Sequence, residues 1–199
     1  MSKVGILKIG YSGNNYSIKK AILLAQGQYY ILNKKEDFKK VDKIIIPGVG
    51  SFYESIKTIN EIYSIEFLKE QILLKPTLGI CLGMQILASI GYEGGLSKGL
   101  EIINGEIRSM DVTGKVPHMG FNEVFFTKNS RLFENIKTNL FYFMHSYEFN
   151  NYENIIGLSS YCGHKFVAAV ENENIFGVQF HPEKSREQGI QLIRNFLKI

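Results

Sequence analysis

Chemistry concentrates in two short runs of this chain. Gly79-Ile80-Cys81-Leu82-Gly83-Met84-Gln85 sets a thiol among small residues, and about a hundred positions later Phe180-His181-Pro182-Glu183 supplies an imidazole and a carboxylate. A lone cysteine is usually a small buried hydrophobe. One that shares a site with a base and an orienting acid is a nucleophile for acyl transfer, and that is the reading here: Cys81 attacks, His181 moves the proton, and Glu183 fixes the imidazole tautomer.

These residues need elements to position them. Leu78 to Ile80 is a short apolar run, and Leu82 to Ile90 carries apolar residues at helical spacing until Gly91. This predicts Cys81 on a strand-to-helix elbow. Gly79 and Gly83 permit the strained backbone and close approach that such an elbow requires, and the helix N-terminus favours thiolate over thiol. Pro182 biases His181 to the extended region, where residues two apart project to one side. His181 and Glu183 are therefore expected side by side at a strand end. A third run, Ile44-Ile45-Ile46 into Pro47-Gly48-Val49-Gly50, reads as a buried strand ending in a glycine loop at the sheet edge where ligands bind. Its backbone N–H groups, with that of Leu82, would form an oxyanion hole; alternatively, the glycines only make a tight turn. The tetrapeptide leaves both readings open, and it lacks the continuation of a phosphate-binding Walker loop.

The wider chain bounds these readings. Its 199 residues, 45% hydrophobic, suffice for one sizeable core, so a single domain over 1–199 is expected. A net charge of +4 from scattered lysines argues against nucleic-acid binding. Two cysteines give no disulfide framework and suggest a reducing, cytoplasmic setting. Residues 1–10 do not read as a signal peptide, and no run approaches a membrane span. Strands are predicted at Val4 to Ile9, Tyr29 to Leu32 and Lys43 to Ile46, with helices at Tyr16 to Gln26 (Asn15 as N-cap), Tyr53 to Ile59 and Ile65 to Leu73. This alternation predicts an α/β fold, a mostly parallel central sheet with helices on both faces. Short extended runs at Glu101 to Ile107, Glu123 to Phe126, Leu140 to His145, Ile155 to Ser160, Lys165 to Glu171 and Ile175 to Phe180 predict antiparallel additions in the second half. Asn172-Glu173-Asn174 reads as a hairpin turn, and Ser185 with Gln188 as a capping box opening a last helix.

The motifs containing Gly48 to Gly50, Cys81 and His181 resemble those of class I (triad) glutamine amidotransferases, whose core is flavodoxin-like. Val116-Pro117-His118-Met119-Gly120-Phe121-Asn122 and Phe143-Met144-His145-Ser146-Tyr147 narrow the resemblance to the branch of glutaminase subunits of imidazole glycerol phosphate synthases, over essentially the whole chain. The resemblance implies glutamine hydrolysis through a glutamyl thioester on Cys81. Gln85, the backbone around Gly50, Ser146 and Tyr147 would hold the glutamine headgroup, and Val49 would supply an oxyanion N–H. It also implies a heterodimer with a (β/α)8-barrel cyclase that consumes the ammonia in histidine biosynthesis. The branch usually carries Trp where Phe121 stands, and related glutaminases serve surface-sugar amidation, so the acceptor stays open between the two pathways. A reading of another class is a non-catalytic sensor built on Cys81; His181, Glu183 and Gln85 argue against it, because a sensor would not require them.

Other candidates take structural readings. His118 and His145 read as hydrogen-bonded structural residues, and Phe141-Tyr142-Phe143 as strand core. Cys162 and His164 offer no zinc spacing. No metal and no cofactor are assigned.

Overall fold

The computed structural model describes residues 3–9, 15–48, 50–150 and 153–199. Its sheet is built on strands buried on both faces, and Ile44-Ile45-Ile46 shows why. Successive side chains point to opposite sides of a strand; Ile45 joins one apolar cluster, while Ile44 and Ile46 join another. Each cluster needs a helical cover. The first is closed by α1 (Asn15–Leu24) and α5 (Arg186–Lys198) through Ile18, Ile22, Leu192, Ile193 and Phe196. The second is closed by α2 (Phe52–Tyr63) and α3 (Ile65–Leu74) through Phe52, Ile59, Tyr63, Leu68 and Ile72.

The central sheet combines β1 (Lys3–Leu7), β2 (Gln28–Leu32), β3 (Lys43–Ile46), β4 (Thr77–Ile80), β9 (Phe125–Phe126), β12 (Ile155–Tyr161), β13 (His164–Asn172) and β14 (Ile175–Val178) in the order β2-β1-β3-β4-β14-β13-β12-β9. Neighbours from β2 to β14 run parallel, and β13, β12 and β9 pair antiparallel. A ribbon of β8 (His118–Glu123) and β10 (Leu140–His145) flanks it. A small sheet is ordered β11-β7-β5-β6, from β11 (Tyr147–Asn150), β7 (Glu106–Ser109), β5 (Ile90–Gly91) and β6 (Ser97–Lys98). This is the expected α/β architecture with antiparallel additions in the second half. The hairpin turn is also as expected, since Asn172 pairs with Ile175 and Glu173 takes φ 55°.

Four expectations about elements are corrected. The helix expected from Leu82 to Ile90 ends early, as α4 (Leu82–Gln85). The carbonyls of Ile86, Leu87 and Ala88 accept N–H groups from Leu100, Ile102 and Glu101. That borrowed segment also explains the second correction, because the extended run expected from Glu101 becomes regular strand only at Glu106. Ser185 does not cap α5 through its side chain. Its Oγ instead donates to the His181 carbonyl at 2.6 Å and accepts the Tyr142 N–H at 2.9 Å, while Gln188 donates to the Leu140 carbonyl. In addition, α1 already contains Asn15, so this residue is not its N-cap.

The tightest packing in the sheet lies where β3 meets the start of α4. A Cβ on Gly83 would collide with the carbonyl of Ile46, a backbone atom that cannot swing aside. Overpacking of this kind costs about 1–3 kcal/mol or more. Gly83→Ala is therefore expected to lower the urea midpoint of unfolding by a corresponding amount, and a midpoint equal to the parent's would contradict this close approach.

Candidate active site

The chain leaves β4 at Ile80 and turns sharply. Cys81 takes φ 52° and ψ −111°, a conformation that costs a side-chain-bearing residue about 1–3 kcal/mol and persists only where its surroundings enforce it. The Cys81 N–H donates to the Val178 carbonyl at 2.7 Å, and its own carbonyl accepts the N–H groups of Met84 at 2.9 Å and Gln85 at 3.1 Å. The loop after β3 presses on the turn from the other side. A Cβ on Gly48 would strike the Ile80 carbonyl and the Leu82 nitrogen, so only glycine lets this loop lie against the elbow. As the first residue of α4, Leu82 has no acceptor for its N–H within the helix.

His181 arrives from the end of β14, the parallel neighbour of β4. Its N–H donates to the Tyr142 carbonyl at 2.8 Å, and Ser185 locks its carbonyl as described. The expected pairing with Glu183 is present, with Nδ1 2.8 Å from Oε1 and both side chains fully buried. The backbone that makes it differs from the expectation: Pro182–Lys184 form a 3-10 turn, which brings Glu183 under the ring instead of beside it on a strand. Donation of Nδ1–H to the carboxylate leaves Nε2 as the reactive nitrogen. Nε2 is buried and, among the described residues, has no partner at full hydrogen-bond geometry. Burial opposes a charge on His181, but electrostatic and hydrogen-bond interactions with Cys81 and then Glu183 outweigh it and raise its pKa to about 10.

Both groups open on a cavity of about 210 Å³ lined by Gly48, Gly50, Cys81, Leu82, Gln85, Glu93, Pro117, Met144, His145, Ser146, Tyr147 and His181. Drug-sized ligands occupy roughly 300–1,000 Å³, so this space suits something the size of an amino acid. Every described residue expected at the site except Glu183 lines it, and Glu183 stands behind His181. Val49, expected to give an oxyanion N–H, lies outside the described residues. Gly50 adopts φ 115°, which glycine alone takes without strain.

The sequence reading did not find Glu93, and it gave Gln179 no role. Glu93 Oε2 accepts the Phe52 N–H at 2.8 Å, supplementing the Ser51 cap of α2. Partial burial raises its pKa, and that hydrogen bond pulls it part of the way back. Gln179 is fully buried beneath Cys81. Gln179 stands in the same run as His181 and Glu183 but is uncharged, and Glu93 stands in no motif, so their partners emerge only in the fold. His145 carries the structural role expected of it: Nδ1 donates to the Tyr147 carbonyl at 2.8 Å, and Nε2 accepts from His118 Nδ1 at 3.1 Å. Burial lowers its pKa to about 4. Among the described residues, no group of three or more His, Cys, Asp or Glu is arranged to hold a metal ion.

Comparison with known proteins agrees with this geometry. The family profile "Glutamine amidotransferase class-I" matches residues 11–199. Among curated relatives, "Imidazole glycerol phosphate synthase subunit HisH 1" of Campylobacter jejuni (strain RM1221) is 42% identical over 193 residues, covering 94% of this chain and 96% of the relative. "Imidazole glycerol phosphate synthase subunit HisH" of Methanocaldococcus jannaschii is 42% identical over 202 residues, with 98% and 99% covered. Among solved structures, that of PurLQS from Thermotoga maritima superimposes with TM-score 0.76 at 18% identity, covering 100% of this chain and 99% of that one. At that identity the last match speaks for the fold alone. With a family match running almost the length of the chain and relatives this similar, the chain belongs to the class I glutamine amidotransferases.

Proposed function

We propose that this protein is the glutaminase subunit of an imidazole glycerol phosphate synthase, with residues 1–199 forming one glutamine amidotransferase domain. The observation that carries the reading is the convergence of Cys81 and Glu183-backed His181 on a single amino-acid-sized cavity, in a chain whose relatives bear that subunit's name.

The chemistry follows from the charges. Cys81 thiolate attacks the side-chain amide carbon of L-glutamine, and the amide oxygen becomes an oxyanion near the Leu82 N–H, with Val49 as the second donor. His181, protonated at Nε2, gives its proton to the departing nitrogen, and ammonia leaves. A glutamyl thioester remains. Neutral His181 then takes a proton from water, hydroxide attacks the thioester, and glutamate departs from the regenerated thiolate and imidazolium. Glu183 holds the ring so that Nε2 performs both transfers.

The other cavity groups fit the substrate's headgroup. Gly50, Ser146 and Tyr147 hold it from the cavity wall. The Gln85 amide nitrogen already donates to the Tyr147 carbonyl at 3.0 Å and to Gln179 Oε1 at 2.9 Å, which uses both its hydrogens. Gln85 therefore faces a ligand as an acceptor, through Oε1. That oxygen and the Glu93 carboxylate suit an α-ammonium.

The partner is a (β/α)8-barrel cyclase subunit that consumes the ammonia before water protonates it. Exposed Val116, Met119, Phe121 and Leu140 support a docked subunit, since they form an apolar rim on and beside the β8–β10 ribbon that flanks the cavity. Phe121 packs edge-on against Tyr142 and lies under Arg186.

Three measurements test this reading. Glutamate release should be slow for the isolated chain, rise with the barrel subunit and its imidazole-precursor ligand, and fall at least about a thousandfold in Cys81→Ala; substantial residual turnover would remove Cys81 from its role. Glu183→Gln deletes one of the two charges that hold His181 protonated. Activity is lost as pH rises through the His181 pKa, so the basic limb of kcat/KM in this variant should move toward acid by about one unit or more; an unmoved limb would contradict the assignment. Glu93→Gln should raise KM for glutamine about tenfold or more with a smaller change in kcat, reflecting a lost charge-assisted contact. An unchanged KM would remove Glu93 from the headgroup site.

A further inference from the structure

We propose that Gln179 is the hydrogen-bond donor that favours thiolate at Cys81, and that its donating edge is aimed by the Tyr147 carbonyl acting through Gln85. The inference rests on Cys81 as nucleophile and adds a residue to that machinery.

The argument is one of hydrogen-bond polarity. A side-chain amide has a donating and an accepting end whose placement follows from its partners. The backbone carbonyl of Tyr147 only accepts, so the end of Gln85 that lies 3.0 Å from it is the nitrogen. The second hydrogen of that nitrogen meets Gln179 at 2.9 Å, so the end of Gln179 found there is the oxygen. Gln179 must then present its own nitrogen at the opposite end, and that nitrogen lies 3.5 Å from Cys81 Sγ. Rotating either amide would set oxygen against oxygen or nitrogen against nitrogen in a fully buried place, where such mismatches are costly. The thiol therefore faces a donor whose direction is fixed two residues away.

A donor to sulfur stabilises thiolate relative to thiol. The Met144 carbonyl, 3.7 Å from Sγ, acts the other way by accepting from the thiol. His181 supplies the counter-charge from the turn after β14, with Glu183 behind it. Glu93, from the segment between β5 and β6, and His145, on β10, also line the cavity. Gln179 lies in the same strand extension as His181, so β14 brings both the proton carrier and the thiolate donor to Cys81.

The test reads the sulfur directly and needs no substrate. The rate at which iodoacetamide alkylates Cys81 in the full chain is followed against pH, by mass of the Cys81 peptide. Gln179→Met, similar in shape but without a donor, should move the midpoint upward by about one pH unit and reduce kcat for glutamine at least about tenfold with KM within about twofold. Mere loosening of the site would speed alkylation at every pH without moving the midpoint. A midpoint that stays or falls overturns the proposal. If Gln179→Met does not fold, Gln85→Met decides: freeing the Gln179 amide to rotate should raise the midpoint by a smaller amount, and an unmoved one overturns the relay. Absence of glutamine hydrolysis in the parent would refute the glutaminase reading and leave this result to stand separately.

Discussion

Everything at this site depends on the backbone of Cys81 being held where an L-residue does not choose to be. The hydrogen bond from its N–H to Val178 fixes one side of the turn. Steric contact fixes the other, because Gly48 and Gly83 lie against backbone atoms of the elbow and of β3 with no room for a Cβ. The strain is small beside the burial of the surrounding sheet. Isoleucines 44, 45 and 46 are all fully buried, and each contributes on the order of 1.5–3 kcal/mol of transfer free energy as an upper estimate. A rigid sheet can therefore hold a strained cysteine without losing the fold.

Topology supplies the second half. Residues 81 and 181 come together because β14 is the parallel neighbour of β4, with Val178 in register with Ile80. Two strands that end side by side deliver their following residues to the same edge, which is where open α/β sheets place ligands. Pro117 ahead of β8 and Met144 and His145 at the end of β10 then wall that edge, and the N–H of His181 is tied to the ribbon through Tyr142. The long connection between the two motifs is thus spent on the wall of the cavity and on the apolar rim beside it.

How much of this was legible in the sequence varies with the range of the interaction. The parallel strands β1 to β4 and β14, the helices α1 to α3 and the Cys81 elbow follow from local periodicity and from glycines at fixed offsets, whereas β5, β6, β8 and β11 do not. Failures arose where a distant segment captured a local hydrogen-bonding group. Leu100 to Ile102 took the carbonyls that would have continued α4. Ser185 had the spacing of a capping box, yet its hydroxyl was drawn to His181 and Tyr142. His181 and Glu183 were paired correctly on an incorrect backbone, because strand alternation and a 3-10 turn both bring residues two apart into contact. Gln179 stood in plain view beside Phe180, but an uncharged side chain carries no signal until its partners are known.

The histidines of the cavity show how one small volume separates charge states. His181 and His145 are both buried, and burial alone would make both neutral. His181 faces Cys81 and Glu183, whose combined pull exceeds the desolvation cost. His145 is held down by burial; its ring bonds the Tyr147 carbonyl and His118 and packs on Phe143 and Phe166, and His118 and His181 further disfavour its protonation. The outcome is that two buried imidazoles on one cavity are shifted in opposite directions, His181 up and His145 down. Pairs of like groups driven apart by their surroundings mark proton-transfer sites, and here the division is made by Cys81 and Glu183, which both act on His181.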